Sequence, residues 1–327
     1  MIHQGDCREI LPTFAADGID CIVTSPPYFG LRDYGAEGQI GLEENLQDYI
    51  DTLVTVFREC HRVLKPTGTL WVNLGDSYTR SDKGIGSAPK NLIGIPWRVA
   101  FALQSDGWIL RQDIIWAKTN PMPEPAGRYR RFVKSHEYVF LLTKSPHYYW
   151  DEEATKEPAA GFNDRPPQGS LGTLGPKNSG RRAKGNSVTF RGGSYTNNNA
   201  FQNSALVTRT SQGNKPNETW LRYRRDVWNL PTSASDQLRT KSEVKHFATF
   251  PQALVNLCIA TGCPPNGVVM DPFSGSGTTG MVAHELGRQY IGIELNSEYI
   301  EIAKLRISPS IQTTIDMPQF VRRDCQD

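Results

Sequence analysis

Long apolar runs are missing from this chain of 327 residues. No stretch approaches the roughly 20 residues that a membrane-crossing helix needs. No signal-type apolar segment opens the chain either, so a cytoplasmic location is expected. Cysteine is scarce: six residues (Cys7, Cys21, Cys60, Cys258, Cys263 and Cys325), with no C-x-x-C pair. That spacing argues against a zinc site or a redox pair, and no other metal-ligand cluster is visible, so no metal is expected. Several of these cysteines lie in apolar runs and read as reduced core residues. A strong excess of one charge is also absent, since 36 Lys and Arg against 34 Asp and Glu give +2. Any preference for a polyanion must come from where the charges sit. With 38% hydrophobic residues the chain can build a sizeable core.

What is present is concentrated near the two ends. Residues 24–28 read Thr-Ser-Pro-Pro-Tyr, directly after the apolar run Ile19, Cys21, Ile22, Val23. Two prolines fix two φ angles, remove two donors and push the residues before them out of the helical region. The result is a stiff loop at the end of a strand, which sets the directions of the Ser25 hydroxyl, the neighbouring carbonyls and the Tyr28 ring. A nucleobase with an exocyclic amine needs two acceptors for its N–H bonds and an aromatic face. Taken alone, Ser25-Pro-Pro-Tyr28 also describes a Pro-Pro turn with a buried tyrosine.

The second block is Val268-Val-Met270 followed by Asp271-Pro-Phe-Ser-Gly-Ser-Gly-Thr-Thr-Gly280, with helical spacing from Met281 to Leu286 and a stop at Gly287. This is strand, glycine turn, helix. The glycines let a ligand approach the main chain, and the helix start offers free N–H groups. A short strand, Tyr290–Ile293, then ends in Glu294, whose carboxylate suits ribose hydroxyls. Gly275, Gly277 and Gly280 also satisfy G-x-G-x-x-G, so a nicotinamide oxidoreductase is a rival from this segment alone. That rival has no room for a catalytic domain after the turn, and it leaves Ser25-Pro-Pro-Tyr28 unexplained.

Together, and in this order, the two blocks resemble a permuted, beta-type DNA amino-methyltransferase. Gly5-Asp6-Cys7, Val63–Val72, Arg225-Asp-Val-Trp228 and His246–Pro251 also resemble that family's motifs. The resemblance implies a methyl transfer from S-adenosylmethionine to an exocyclic amine of a base flipped out of duplex DNA. It implies catalytic roles for Ser25, Pro26, Pro27 and Tyr28. It implies cofactor contacts at Asp6, Cys7, Ser25, Phe250, Pro251, Asp271, Phe273, Ser274, Gly275, Ser276, Gly277, Thr278, Glu294 and Leu295. Serine at the first position of the catalytic block is usual for N4-cytosine enzymes, and N6-adenine is the alternative. A homodimer and a separate restriction endonuclease are partners that such a family leaves open. A DNA-binding protein without catalysis is a further alternative, against which both intact blocks argue.

The pattern along the chain is α/β. Strands are expected over 1–4, 19–23, 69–74, 109–116, 137–143, 267–270 and 290–294. Helices are expected over 46–64, from Ile95 to Leu103, after Pro251, and from Asn296 or Ser297 to Leu305. This predicts a doubly wound sheet, and the resemblance implies a seven-stranded Rossmann-like methyltransferase sheet in which residues 1–4 complete the half-sheet of 267–294. The expected division is a catalytic half at 1–150, an irregular target-recognition insertion at 151–245, and a cofactor-binding half at 246–327. Within the insertion Gly, Ser, Asn and Pro dominate, and no acidic residue falls between Asp164 and Glu218. A solvated loop or a disordered linker would look similar. Phosphate contacts are expected from Arg181, Arg182, Lys184, Arg191, Arg222, Arg224 and Arg225, and from Arg128, Arg130 and Arg131 beside the pocket.

Overall fold

The computed structural model describes residues 1–31, 35, 38–79, 88–124, 126–158, 221–232 and 250–307. The chain forms two compact units, one of residues 1–155 with 225–327, the other of 156–224. Residues 151–155 and 225–232 therefore belong to the larger unit, although the sequence reading placed them in the insertion.

In chain order the strands of the larger unit are β1 (Ile2–Gln4), β2 (Ile19–Thr24), β3 (Leu64–Leu74), β4 (Ile109–Lys118), β5 (His136–Thr143), β8 (Val227–Leu230), β9 (Val268–Asp271) and β10 (Gln289–Glu294). The other unit contributes β6 (Lys156–Pro158) and β7 (Leu221–Tyr223), which pair antiparallel with each other. The helices are α1 (Cys7–Ile10), α2 (Leu46–Val63), α3 (Ile95–Ser105), α4 (Ala126–Tyr129), α5 (Gln252–Gly262), α6 (Thr278–Glu285) and α7 (Ser297–Ile307). No helix among the described residues is long and apolar enough to cross a membrane.

Strand order in the main sheet is β1-β10-β9-β2-β3-β5-β4-β8. Among the described residues this sheet has eight strands where seven were expected: β8 lies parallel to β4, from Ile115↔Val227 to Lys118↔Leu230. Four residues are too few to display a period of two, so β8 leaves no signature in the sequence. Only β5 runs antiparallel to its neighbours β3 and β4. The two chain ends do meet. Ile2, His3 and Gln4 pair with Gly292, Ile293 and Glu294, and Cys21 and Ile22 pair with Val269 and Met270.

Alternation along each central strand divides the core. Ile22, Leu70, Val72, Leu74, Phe140 and Leu142 pack on the face covered by α2 and α3. Cys21, Val23, Trp71, Val139 and Leu141 pack on the opposite face, against α5 and α6. A sheet buried on both faces must be apolar at every position, and β2 is buried along its whole length. The cysteines at 7, 21, 60, 258 and 263 are free and buried.

β2 leads through α2 to β3 on one side, while β9 leads through α6 to β10 on the other. The carboxyl ends of β2 and β9 are thus neighbours from which the chain departs in opposite directions. Ligands of open α/β sheets bind in the crevice at such a switch point.

Candidate active site

A cleft lies at that switch point. It encloses about 1030 Å³ of free space counted out to its solvent mouth. One wall is the turn between β9 and α6: Asp271, Phe273, Ser274, Gly275, Ser276 and Thr278. Another is Glu294 and Leu295 at the end of β10, with Asp6 and Cys7 after β1. Ser25, Pro27 and Phe250 border the cleft as well, whereas Pro26 and Tyr28 do not. Pro251 and Gly277 do not border the cleft. Pro251 caps α5. Gly277 begins α6 at φ 79°, where an added Cβ would stand 2.8 Å from the Ala303 Cβ. Any larger residue would lift α7 off the turn.

The sequence reading missed several lining residues, notably Gly38, Gln39, Ile40, Asn296 and Tyr299. Residues 38–40 lie in a loop with no periodicity. They are tied to the site by Arg8, whose guanidinium donates to the Gly38 carbonyl at 2.7 Å. Tyr299 is one turn into α7, where an aromatic residue reads as core.

The acidic residues differ in what they have left to offer. Glu294 accepts from Gly275 N at 2.7 Å and Asn296 N at 2.8 Å. Burial pushes its carboxyl up, while the N–H groups of Asn296, Gly275 and Leu295 pull it down. A carboxylate has about four acceptor positions, so with these three N–H groups some acceptor capacity remains for a hydroxyl. Asp6 caps α1 and is clasped by the Arg8 side chain. Burial works against its charge, but the Arg8 bonds together outweigh burial and hold its carboxyl below the usual range. Asp271 is spent inside the protein, on Thr24 Oγ1 at 2.6 Å, Thr279 Oγ1 at 2.7 Å and Phe273 N at 3.0 Å. It ties β2 to the glycine turn across 247 positions of sequence. Burial pushes the Cys7 thiol up to about 12.

Ser274 and Ser276 are engaged too, with the Tyr290 hydroxyl at 2.8 Å and with Arg306 at 2.6 Å respectively. Thr278 Oγ1 is buried with no partner among the described residues. Since buried hydroxyls are normally bonded, this one marks a place for a ligand atom.

The Ser25-Pro-Pro-Tyr28 loop is braced from beneath. The Tyr49 hydroxyl donates to the Pro27 carbonyl at 2.8 Å. No main-chain N–H among the described residues donates to the Pro26 carbonyl in a turn or loop, and Pro26 itself is buried. Tyr28 is half-buried and its hydroxyl donates to Glu137 Oε2 at 2.8 Å. Glu137 also pairs with Lys118 at 2.5 Å and accepts from Asn73 at 3.2 Å. Gly75 leaves room for the Tyr28 ring: a Cβ there would lie 2.7 Å from Cε2. Ser25 Oγ stands 3.5 Å from the Tyr28 hydroxyl, too far for more than a weak bond. The hydroxyl is thus still able to accept from a ligand.

The DNA family of these residues is decided by comparison. The family described as DNA methylase, the N6/N4 group, matches residues 19–305. The chain belongs to this family. It is an S-adenosylmethionine-dependent DNA amino-methyltransferase. The methyltransferase is 42% identical to the Type II methyltransferase M.SmaI of Serratia marcescens, over 94% of this chain and 90% of that protein. It is 39% identical to M.Cfr9I of Citrobacter freundii, over 94% and 87%. Among solved structures, the PvuII DNA methyltransferase (cytosine-N4-specific) shares the fold at TM-score 0.60 and 19% identity, covering 94% of this chain and 85% of that one. The M1.HpyAVI–SAM complex does so at TM-score 0.53 and 20% identity, covering 94% and 98%.

The expected DNA-contacting arginines fall in three groups. Arg128 and Arg130 are exposed. Arg131 pairs with Glu124 at 2.6 Å and stacks 4.0 Å from the Tyr78 ring centroid. In the other unit, Arg222 and Arg224 both pair with Glu157, at 2.7 and 2.9 Å. Their charge is partly met by the glutamate of β6, which lessens what they can give to phosphate. Arg225, just before β8, is exposed. Arg181, Arg182, Lys184 and Arg191 lie outside the described residues.

Proposed function

We propose that this methyltransferase modifies N4 of cytosine in a short duplex recognition sequence, with the target base flipped into a pocket beside Ser25. The observation that carries this is the position of Ser25: its loop borders the same cleft as Glu294 and the glycine turn. The serine of Ser25-Pro-Pro-Tyr28 is the residue usual for N4-cytosine enzymes in this family.

The cleft residues fit the cofactor. Glu294 has spare acceptor positions for the ribose hydroxyls, Thr278 Oγ1 is a buried hydroxyl with nothing to bond, and Phe250, Phe273, Ile40 and Leu295 supply apolar walls. When bound, the cofactor supplies an electrophilic methyl group on a sulfonium sulfur. The chain's own task is to shape the amine. Ser25 Oγ accepts one N–H, and the Pro26 carbonyl accepts the other, because the Pro27 carbonyl is already taken by Tyr49. Two acceptors in fixed directions favour a nitrogen moving from planar to tetrahedral, with its lone pair aimed out of the ring plane. This is positioning and electrostatic preorganisation, with no reorganisation to be done at the moment of reaction. The amine keeps its protons until the new bond forms, so no strong base is needed beforehand. The Tyr28 ring, anchored through Glu137, offers a face to the flipped base. The basic insertion is assigned the phosphate contacts, and a companion restriction endonuclease is suggested by the Type II names of the relatives.

The test is methylation of unmodified genomic DNA with isotopically labelled cofactor. Digestion to nucleosides and mass spectrometry should place the label in N4-methylcytosine. Label in N6-methyladenine would overturn the base assignment. Sequencing of the product maps the recognition sequence.

One cofactor prediction follows from Glu294. Its replacement by alanine removes hydroxyl acceptors and also orphans the Gly275 N–H. Calorimetry should show cofactor affinity lowered by about 10- to 100-fold, the size expected for hydrogen bonds to a charged group. Unchanged affinity would move the ribose elsewhere.

A further inference from the structure

The excursion from the end of β4 to the start of β5 has a feature that the chemistry does not use. Because β4 runs parallel to β2 and β3, this excursion rises from the same carboxyl edge of the sheet as the Ser25 loop. Its two ends meet beside the catalytic tyrosine, since Lys118 and Glu137 form the ion pair that anchors Tyr28. At its tip Phe132 is 96% exposed, and Met122 is 83% exposed. Phe132 and its neighbour Val133, 38% exposed, place adjoining apolar surface in water; contiguous apolar surface of this kind, rather than a single exposed side chain, is what marks an interaction site.

The loop that carries Phe132 is braced. Lys118 N donates to the Ser135 carbonyl at 2.8 Å, which closes its base. Thr232 N donates to Asn120 Oδ1 at 2.7 Å. Arg131 donates to Glu124 at 2.6 Å and to the Phe132 carbonyl at 3.3 Å, with its guanidinium over Tyr78. The backbone is thus held while the phenyl ring stands out. Arg128 and Arg130 are exposed on the same segment. An exposed ring on a segment that also exposes two cations suits a polyanion with a stacked interior. A second copy of the same face would bring like charges together, which disfavours self-association there.

We propose that Phe132 is the wedge that enters the base stack of the duplex as the target nucleotide leaves it, with Arg128 and Arg130 holding flanking phosphates. Insertion of an apolar side chain offsets the unstacking that flipping requires. The proposal rests on the flipped-base reading above.

The experiment uses the mapped recognition duplex, in one form fully paired and in another with an abasic position opposite the target. For Phe132→Ala, kcat/KM on the paired duplex should fall by about 10- to 100-fold, with Phe132→Leu between the two. On the abasic form, where little pairing is left to break, the variant should come within about threefold of the parent. 2-Aminopurine placed beside the target should brighten when the parent binds, and much less with Phe132→Ala. Folding is checked by Tm, which should not move for so exposed a side chain. If the parent gives no brightening, the flipped-base reading fails and takes the wedge with it. If the parent brightens and Phe132→Ala matches it in both fluorescence and rate, the wedge alone is overturned. An equal loss on both duplexes marks a plain surface contact and also overturns it.

Discussion

Replacing Ser25 by alanine lowers methyl transfer by about 100- to 1,000-fold, the loss typical of removing one preorganised group aimed at the reacting atoms. Cofactor affinity stays within about threefold, since the other residues proposed to hold the cofactor, above all Glu294 and Thr278, remain. The separation of the two effects is the point. Ser25 borders the cleft, but its hydroxyl is bound only weakly by the protein, at 3.5 Å from the Tyr28 hydroxyl. Removal therefore orphans no strong internal partner and leaves the fold intact. Single-turnover rates with calorimetry in parallel provide the check. A parental rate in Ser25→Ala would remove Ser25 from the chemistry. Tyr28→Phe gives a graded control: it keeps the ring and loses the bond to Glu137, so it should cost less than Ser25→Ala.

The second large effect is on stability. Asp271→Ala leaves Thr24 Oγ1, Thr279 Oγ1 and the Phe273 N–H without the acceptor they share. Thr24 and Thr279 are fully buried. At ~1–3 kcal/mol for each orphaned buried donor, with partial rescue of Thr279 by the nearby Val23 carbonyl, the loss is about 3–6 kcal/mol of unfolding free energy. That is a large share of what a domain has. Asp271 also carries a pH signature. Burial pushes its carboxyl up to about 6 from 3.8, against the pull of Thr24, Thr279 and Phe273. The folded state therefore holds this proton more tightly than the unfolded chain does. The contribution of the group is most favourable below about pH 4, declines as pH rises, and is flat above about pH 6. Chemical denaturation of Asp271→Asn should lose that downward component between pH 4 and 6. If the variant kept the parent's slope there, the carboxyl titrates as if exposed.

Much of the sheet could be read in advance because alternation or full apolar character is imposed on strands buried on both faces. Ile19–Thr24 and His136–Thr143 are such strands, and α2 shows itself by Leu46, Ile50, Leu53 and Phe57 recurring on one face. The glycine turn was legible for a different reason. A strand that stops at Asp271 and a helix that starts at Thr278 must be joined by residues able to take left-handed angles, and Gly275 and Gly277 do so at φ 51° and 79°. Less legible were features made by distant partners. Glu137 anchors Tyr28 from 109 positions away, and nothing in the His136-Glu-Tyr segment marks it. The pairing of Arg222 and Arg224 with one glutamate on a facing strand is equally silent in one dimension. The residues at 38–40 border the cleft through loop geometry alone. Each of these depends on which segments the fold brings together, and periodicity carries no information about that.

The central claim is that the target amine is received by the Ser25 hydroxyl and the Pro26 carbonyl at the mouth of the cofactor cleft. A crystal structure of the protein with S-adenosylhomocysteine and its recognition duplex tests this most directly. The account predicts the exocyclic nitrogen within hydrogen-bonding distance of both Ser25 Oγ and the Pro26 oxygen, with the cofactor ribose on Glu294. An extruded base whose amine is held by other groups, or a cofactor lying away from Glu294, would contradict it.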